Sequence, residues 1–345
     1  MRRILVDLTA WVRGPWTGVG LAAWRCSQAL KAEAGEGVQV ECFSRDGAMS
    51  GLSRIGPTRR LFGWRRAICH SFDSGLSRAL LSQRVLSVHD LWTLRETAFQ
   101  SDRFRRHGSP RLRRAIARAD LVITPSEYVR RELVERFPAF EHRSFAVPWG
   151  PLLAFEAKGP VTPEVEAYLL ERRPFALCVS TLEARKNLET LCLALEGNRE
   201  LDLVLVGSDG HGVEAVRAAV GRLRGSSVRC EAFRGVSTTS LFHLYSASRI
   251  YVSASREEGF GMPVLEAMSA GRPLVLSEIP PFREIAGPTA FYFPLDGGPA
   301  ALREAVHAAL GPQGETRAGQ GQERSLQFSW ESTARRLLAL YERLA

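Results

Sequence analysis

Glu258-Gly259-Phe260-Gly261-Met262-Pro263-Val264-Leu265-Glu266, followed by Ala267-Met268-Ser269-Ala270-Gly271-Arg272-Pro273, decides the reading of this 345-residue chain. The apolar run Arg249–Ser253 precedes it and reads as a strand. Pro263 suits the first position of a helix, where its missing N–H would lack a partner anyway. Gly271 suits the left-handed residue after a helix, and Pro273 blocks continuation. The expected element is a short helix from about Pro263 to Ala270. Its N-terminus would carry unpaired N–H groups and the positive end of the helix dipole. Gly259 and Gly261 would let a ligand reach the backbone there, and such a place favours a diphosphate. Glu266 lies one turn into the helix and Glu258 lies before it. One carboxylate is thus placed for ribose hydroxyls and the other for a sugar. Two isolated glutamates at this spacing would read equally well as a helix-start residue and a solvated one. The filling between them favours a ligand site.

The same strand–loop–helix pattern extends in both directions. In the first half the candidate strands are Arg3–Asp7, Val38–Phe43, Arg84–His89, Leu121–Thr124 and Phe145–Pro148. In the second half they are Phe175–Ser180, Leu201–Val206, Val228–Phe233, Arg249–Ser253, Pro273–Leu276 and Phe291–Phe293. Helical periodicity lies between them, at Val129–Arg136, Leu188–Leu195, Val213–Arg222, Thr239–Ala247 and Ala300–Ala309. Such alternation predicts parallel sheets covered by helices on both faces, with ligand sites at the carboxyl ends of the strands. Pro151–Pro174 reads as a linker plus a connecting helix, Gly311–Gly321 as a polar loop, and Trp330–Leu344 as an amphipathic helix.

Composition excludes several function classes. The chain is 45% hydrophobic and 24% charged, which is globular rather than disordered or fibrous. No run is long enough to span a bilayer, and the apolar stretch at Ile4–Val6 is too short for a signal peptide. A cytoplasmic enzyme is expected. Six cysteines, at 26, 42, 69, 178, 192 and 230, form no C-x-x-C pair and read as reduced core thiols. Charge is divided unevenly. Residues 1–150 hold 25 Lys+Arg against 14 Asp+Glu, a net +11, and the remainder is net −2. Only Lys31, Lys158 and Lys186 are lysines.

The run from Tyr245 through Glu258 and Glu266 to Gly271 resembles the donor-site signature of the family 4 glycosyltransferases, which have the GT-B fold. The similarity extends over nearly the whole chain. Ser180-Thr181-Leu182-Glu183-Ala184-Arg185-Lys186-Asn187-Leu188 is similar to the family's first donor-domain strand and loop. Phe233-Arg234-Gly235-Val236 is similar to its base-binding turn. Arg283-Glu284-Ile285-Ala286-Gly287 and Phe328-Ser329-Trp330-Glu331-Ser332 fit its C-terminal pattern. In the first half, Thr17-Gly18-Val19-Gly20, Val88-His89-Asp90-Leu91 and Ala119–Ser126 fit its acceptor domain. The fold class implied is α/β, with two doubly wound Rossmann-like domains facing a central cleft. Residues 1–155 would bind the acceptor and 156–325 the nucleotide sugar, and a helix over 326–345 would pack back on the first domain.

The resemblance implies a retaining, metal-independent transferase that needs no cofactor and binds no nucleic acid. Its partners would be a nucleotide diphosphate sugar and a saccharide or lipid-linked acceptor in surface-polysaccharide synthesis. The Thr-Leu-Glu-Ala-Arg-Lys-Asn form resembles mannosyltransferases, which makes GDP-mannose the first donor to test. Glu258 would steady positive charge at the anomeric carbon. Lys186 and Arg185 would neutralise the departing diphosphate, as fixed cations do. The family often has arginine where Thr181 stands. His89 would touch the donor sugar's distal hydroxyl. Gly18 and Gly20 would form a loop closing on the donor phosphates. Val236, Gly259, Phe260, Gly261, Met262, Leu265 and Glu266 would complete the donor site. No Asp-x-Asp metal motif is present. The alternatives are a catalytically inactive sugar-binding subunit of the same fold, or a phosphorylase or synthase. A dehydrogenase is disfavoured by the missing G-x-G-x-x-G after the first strand.

Seven arginines lie within Arg103–Arg118. Phe104 is the one aromatic residue among them and no nucleic-acid motif accompanies them, so a solvated face or contact with an anionic membrane is expected rather than RNA. Trp11, Trp16 and Trp92 read equally as sugar-stacking platforms and as packing.

Overall fold

The computed structural model describes residues 2–14, 17–45, 53–54, 67–73, 83–95, 102–153, 159–224 and 228–344. Trp16, Lys158 and the side chains of Arg103, Arg105, Arg106 and His107 lie outside the described set. The chain divides into two compact units, Met1–Leu152 with Phe328–Ala345, and Leu153–Gln327.

In the first unit the elements run β1 (Arg2–Asp7), α1 (Thr9–Arg13), α2 (Gly18–Glu33), β2 (Val38–Ser44), β3 (Ser53–Arg54), β4 (Ile68–Ser71), β5 (Gln83–Ser87), α3 (Asp102–Arg118), β6 (Leu121–Thr124), α4 (Glu127–Arg136) and β7 (Ser144–Ala146). The sheet order is β3-β2-β1-β4-β5-β6-β7, parallel throughout the described pairs. The direction of winding reverses between β1 and β4. Strands buried on both faces explain why the sequence shows continuous apolar runs rather than alternation.

The second unit contains α5 (Pro163–Leu170), β8 (Phe175–Val179), α6 (Leu188–Leu195), β9 (Asp202–Val206), α7 (Val213–Arg224), β10 (Cys230–Phe233), α8 (Thr238–Ala247), β11 (Ile250–Ser253), α9 (Met262–Ser269), β12 (Leu274–Ser277), α10 (Pro280–Ala286), β13 (Ala290–Phe293), α11 (Gly298–Leu310) and α12 (Gln313–Ser325). Its sheet, ordered β10-β9-β8-β11-β12-β13, is also parallel, with the reversal between β8 and β11. Its core is built on Leu191, Leu203, Leu205, Ile250, Val252, Leu302 and their neighbours. All six cysteines are free.

The last helix, α13 (Trp330–Glu342), belongs to the first unit. It packs along α2, placing Ala334, Leu337, Leu340 and Tyr341 in that unit's core. Trp330 Nε1 donates to the Pro151 carbonyl at 2.8 Å, and Thr333 Oγ1 to the Pro148 carbonyl at 2.7 Å. The Tyr341 hydroxyl lies 2.6 Å from His70 Nδ1, and His70 Nε2 lies 2.9 Å from Ser87 Oγ. Burial drives His70 down to about 3, so it is neutral and structural.

Four sequence expectations are corrected. Gly311–Gly321 is not a loop, since α12 runs from Gln313 to Ser325. Its glycines permit close packing; a Cβ on Gly314 would stand 2.1 Å from the Ala309 carbonyl oxygen. Gly18 and Gly20 are not in a loop either, but in the first turn of α2. Thr17 caps that turn, accepting from Gly20 N at 3.1 Å, and a Cβ on Gly20 would lie 2.3 Å from the Gly14 carbonyl oxygen. β4 was not anticipated. The strand expected to reach His89 ends at Ser87.

Candidate active site

Lys186, Arg185, Ser255 and Glu258 meet at the carboxyl ends of β8 and β11, where the second sheet reverses. After β8 the chain passes through the 3₁₀ turn Ala184–Lys186, ended by Asn187 in the left-handed region at φ 55°. This turn faces the loop after β11. Lys186 Nζ donates to Glu258 Oε1 at 2.6 Å, and Ser255 Oγ donates to the same oxygen at 2.8 Å. Arg185 lies 3.6 Å from the other oxygen and 2.7 Å from Glu183, and it donates to the Glu257 carbonyl at 3.0 Å. Burial pushes the Glu258 carboxyl up. Lys186 and Arg185, with the hydrogen bonds from Lys186 and Ser255, overcome this and hold it below the ordinary carboxylate range. Glu258 is therefore an anion clasped by two cations, with Lys186 only 8% exposed.

The two loops are tied together by backbone as well as by charge. Arg256 N donates to the Arg185 carbonyl at 2.9 Å, and its guanidinium reaches Asn187 Oδ1 at 2.9 Å. Ser277 Oγ donates to the Ser255 carbonyl at 2.5 Å. Thr181, where the family often has arginine, is packed against Gly210, whose added Cβ would stand 2.7 Å from the threonine methyl.

The helix after Gly261 begins at Met262, one residue before the sequence suggests, so Pro263 is its second residue. Gly261 has φ 102°, and a Cβ there would meet the Phe282 ring at 3.0 Å. The N–H groups of Val264 and Leu265 bond back to the Gly261 carbonyl at 2.9 and 3.2 Å. The Leu265 bond is the ordinary first bond of the helix; of the first-turn N–H groups expected to be unpaired, that of Val264 is already engaged. Phe260 and Leu265 bury their side chains, and Met262 is half-buried. Val236 follows Gly235 at φ 62° in the turn between β10 and α8.

Glu266 is 4% exposed and accepts from the Tyr245 hydroxyl at 2.8 Å. Burial raises its carboxyl to about 7, against the opposing bonds from Tyr245 and the Leu153 backbone. The sequence reasoning passed over Ser255, Arg256 and Tyr245. The tyrosine and Ser255 stand inside the quoted signature, but nothing in their spacing announces a bond to a glutamate.

The remaining candidates belong to the first unit. His89 lies just beyond β5, and its Nε2 is 2.5 Å from the Phe72 carbonyl. A carbonyl only accepts, so Nε2 carries the proton. Nδ1 then presents a lone pair, buried and, among the described residues, with no hydrogen-bond partner. Burial lowers this histidine, outweighing the Phe72 bond and the neighbouring aspartates. The ring packs edge-on to Trp149 at 4.8 Å. Asp90 does not hold it; Asp90 accepts instead from Trp92 N at 3.2 Å. Trp11 stacks on Trp24, with ring centroids 5.6 Å apart.

The pattern described as "Glycosyl transferases group 1" matches residues 164–321, and that of "Glycosyltransferase Family 4" matches residues 58–150. The chain belongs to the family 4 glycosyltransferases. A relative, the O-antigen chain mannosyltransferase B of Escherichia coli, is 26% identical over 273 residues, 76% of this chain and 71% of that protein. The serotype-specific mannosyltransferase WbdA of Escherichia coli is 30% identical over 169 residues. That match spans 48% of this chain but only 20% of WbdA, so it concerns one part of a longer protein. Among solved structures, sucrose-phosphate synthase from Thermosynechococcus elongatus is similar with a TM-score of 0.76 at 20% identity, covering 100% of this chain and 99% of the other. This family 4 glycosyltransferase has the GT-B fold.

Proposed function

We propose that the chain is a retaining, metal-independent glycosyltransferase that moves mannose from GDP-mannose to a saccharide or lipid-linked acceptor in surface-polysaccharide synthesis. The observation that carries the reading is the Lys186–Glu258 contact of 2.6 Å, held by Ser255 at the sheet reversal. In this reading the acceptor hydroxyl attacks the anomeric carbon while the bond from that carbon to the β-phosphate oxygen breaks. The departing phosphate takes the hydroxyl proton on the same face. Lys186 and Arg185 balance the growing charge on the diphosphate, which lowers the barrier because the charges are fixed in advance. Glu258, kept ionised, steadies the positive charge at the anomeric carbon. Glu266 accepts from ribose hydroxyls, and His89 Nδ1 accepts from a sugar hydroxyl. Val236 and the Gly259–Met262 backbone complete the donor contacts.

The mannose assignment is supported by the names of the relatives and by the Thr181–Asn187 form, and it is tested by a thermal-shift screen. Ligand binding to the native state raises Tm. GDP-mannose should raise it more than UDP- or dTDP-sugars, and radiolabelled mannose should reach an acceptor fraction. A larger shift with a UDP-sugar would reassign the donor. Donor neither transferred nor hydrolysed would make the chain a binding subunit.

The basic first half supports a cytoplasmic enzyme working at the inner face of a membrane. On α3, Arg111, Arg113 and Arg114 are exposed while Leu112 and Ala115 are buried. Among the described residues no helix is long and apolar enough to cross a bilayer.

A further inference from the structure

The donor site occupies the carboxyl ends of β8 and β11. The amino ends of the same strands border a second concavity of about 370 Å³, lined by Arg172, Arg173, Arg249 and Arg272 over Tyr168 and Phe175, with no carboxylate in its lining. The four arginines are not equally satisfied. Arg173 is neutralised by Asp202 through two bonds of 2.7 and 2.8 Å. Arg249 pairs with Glu315 at 3.1 Å, both mostly exposed, an arrangement weakened by solvent. Arg272 is half-buried and donates only to the carbonyls of Ala270 and Ser248, at 3.0 and 3.3 Å. Burial disfavours its charge; Glu315 partly offsets this, and Arg249 repels it. Among the described residues neither Arg272 nor Arg172 has an ion-pair partner.

Arg172 adds an independent sign. It follows α5 in the left-handed region, at φ 53°. That position after a helix is normally glycine or asparagine, because a Cβ is strained there. An arginine at this point spends backbone stability to hold a guanidinium at the rim. Strained backbone of this kind clusters where it serves a ligand.

We propose that this pocket is a second anion site, which takes a phosphate dianion between Arg172, Arg249 and Arg272. Two of the four guanidiniums remain uncompensated after Asp202 and Glu315 are counted, so a dianion balances the site. Planar guanidiniums also match phosphate oxygens in forked geometry. The volume falls within the range of small-molecule pockets. The slight negative balance of residues 151–345 fits a soluble phosphate or phosphate ester rather than a membrane headgroup.

Isothermal titration with inorganic phosphate at constant ionic strength tests this. Wild type and Lys186→Ala should bind phosphate equally, since Lys186 belongs to the other end of the sheet. Arg172→Gly should weaken binding at least tenfold while Tm holds or rises, because glycine accepts the left-handed backbone. Arg249→Gln, on an exposed side chain, should weaken it too. Binding lost in Lys186→Ala but unchanged in Arg172→Gly and Arg249→Gln would overturn the proposal, placing phosphate in the donor loop. Absence of phosphate binding to wild type at millimolar concentration would also overturn it.

Discussion

Tyr245 donates its hydroxyl to Glu266 Oε2 across 2.8 Å, with both side chains removed from solvent. The glutamate is raised to about 7, so the native chain keeps its proton at pH values where the unfolded chain has already released it. The stability this group contributes is therefore full in acid. It declines as pH climbs from the ordinary carboxylate range through about 7. If Glu266 binds the ribose as proposed, donor affinity should run the opposite way, because the hydroxyls would donate to the ionised form. Glu266→Gln should flatten both curves, measured as Tm and donor Kd against pH. Curves that keep the wild-type slope would remove Glu266 from nucleotide binding.

Tyr245→Phe keeps the ring and removes one donor. A hydrogen bond of this kind is worth about 0.5–1.5 kcal/mol net. Donor Kd should rise about two- to tenfold, and the midpoint of its pH dependence should move up. Turnover at saturating donor should change little. A fall in Tm with an unmoved pH midpoint would make Tyr245 purely structural.

Lys186→Ala should lower kcat by about 10²–10³, the usual effect of removing one fixed donor to a developing charge. It also strands Glu258 without its nearest cation, so Tm should fall. Lys186→Met combined with Glu258→Gln should recover much of that loss, because a buried pair removed together leaves no unpaired charge. Activity of Lys186→Ala within a few-fold of wild type would contradict the assignment.

Dialysis against EDTA should leave turnover unchanged. In the proposed mechanism Arg185 and Lys186 would supply the positive charge that a divalent ion otherwise brings to the diphosphate. Activity abolished by EDTA and restored by magnesium or manganese would overturn the metal-independent reading.

Sedimentation with vesicles tests the membrane reading. Basic residues near an anionic surface contribute about 1 kcal/mol each, over a Debye length of about 8 Å at physiological salt. The protein should co-sediment with anionic but not neutral vesicles and be released by salt. Changing Arg105, Arg106, Arg111, Arg113 and Arg114 to glutamine should weaken the association. Protein left in the supernatant at low salt would end that reading and leave the donor site untouched.

Much of the fold was legible in the sequence because parallel strands buried on both faces are written as short apolar runs. Leu121–Thr124 and Leu188–Leu195 emerge with the boundaries expected of them. What escaped depends on distant partners. β4 carries Cys69 and His70, which do not look like a strand until Tyr341 and Ser87 are seen holding the imidazole. The α12 segment was obscured by Gly314, Gly319 and Gly321, poor helix formers by propensity. Gly321 packs against Thr289 and Met268, and Gly314 against the end of α11, so tertiary fit outweighs that preference. In the site, the residue types of Lys186, Glu258 and Glu266 were legible from one motif and one loop. Their protonation states were not, because they depend on Ser255, Tyr245 and burial.

The placement of α13 has a consequence for how the molecule is made. Its residues close the core of the first unit, yet they follow the entire second unit in chain order. During synthesis from the amino terminus, the second unit can complete its sheet and core while the first still lacks Leu337, Leu340 and Tyr341. The amino-terminal unit thus begins first and finishes last, with Tyr341 reaching a histidine 271 residues earlier. A ribosome stalled before Phe328 would hold one finished unit and one left open along α2.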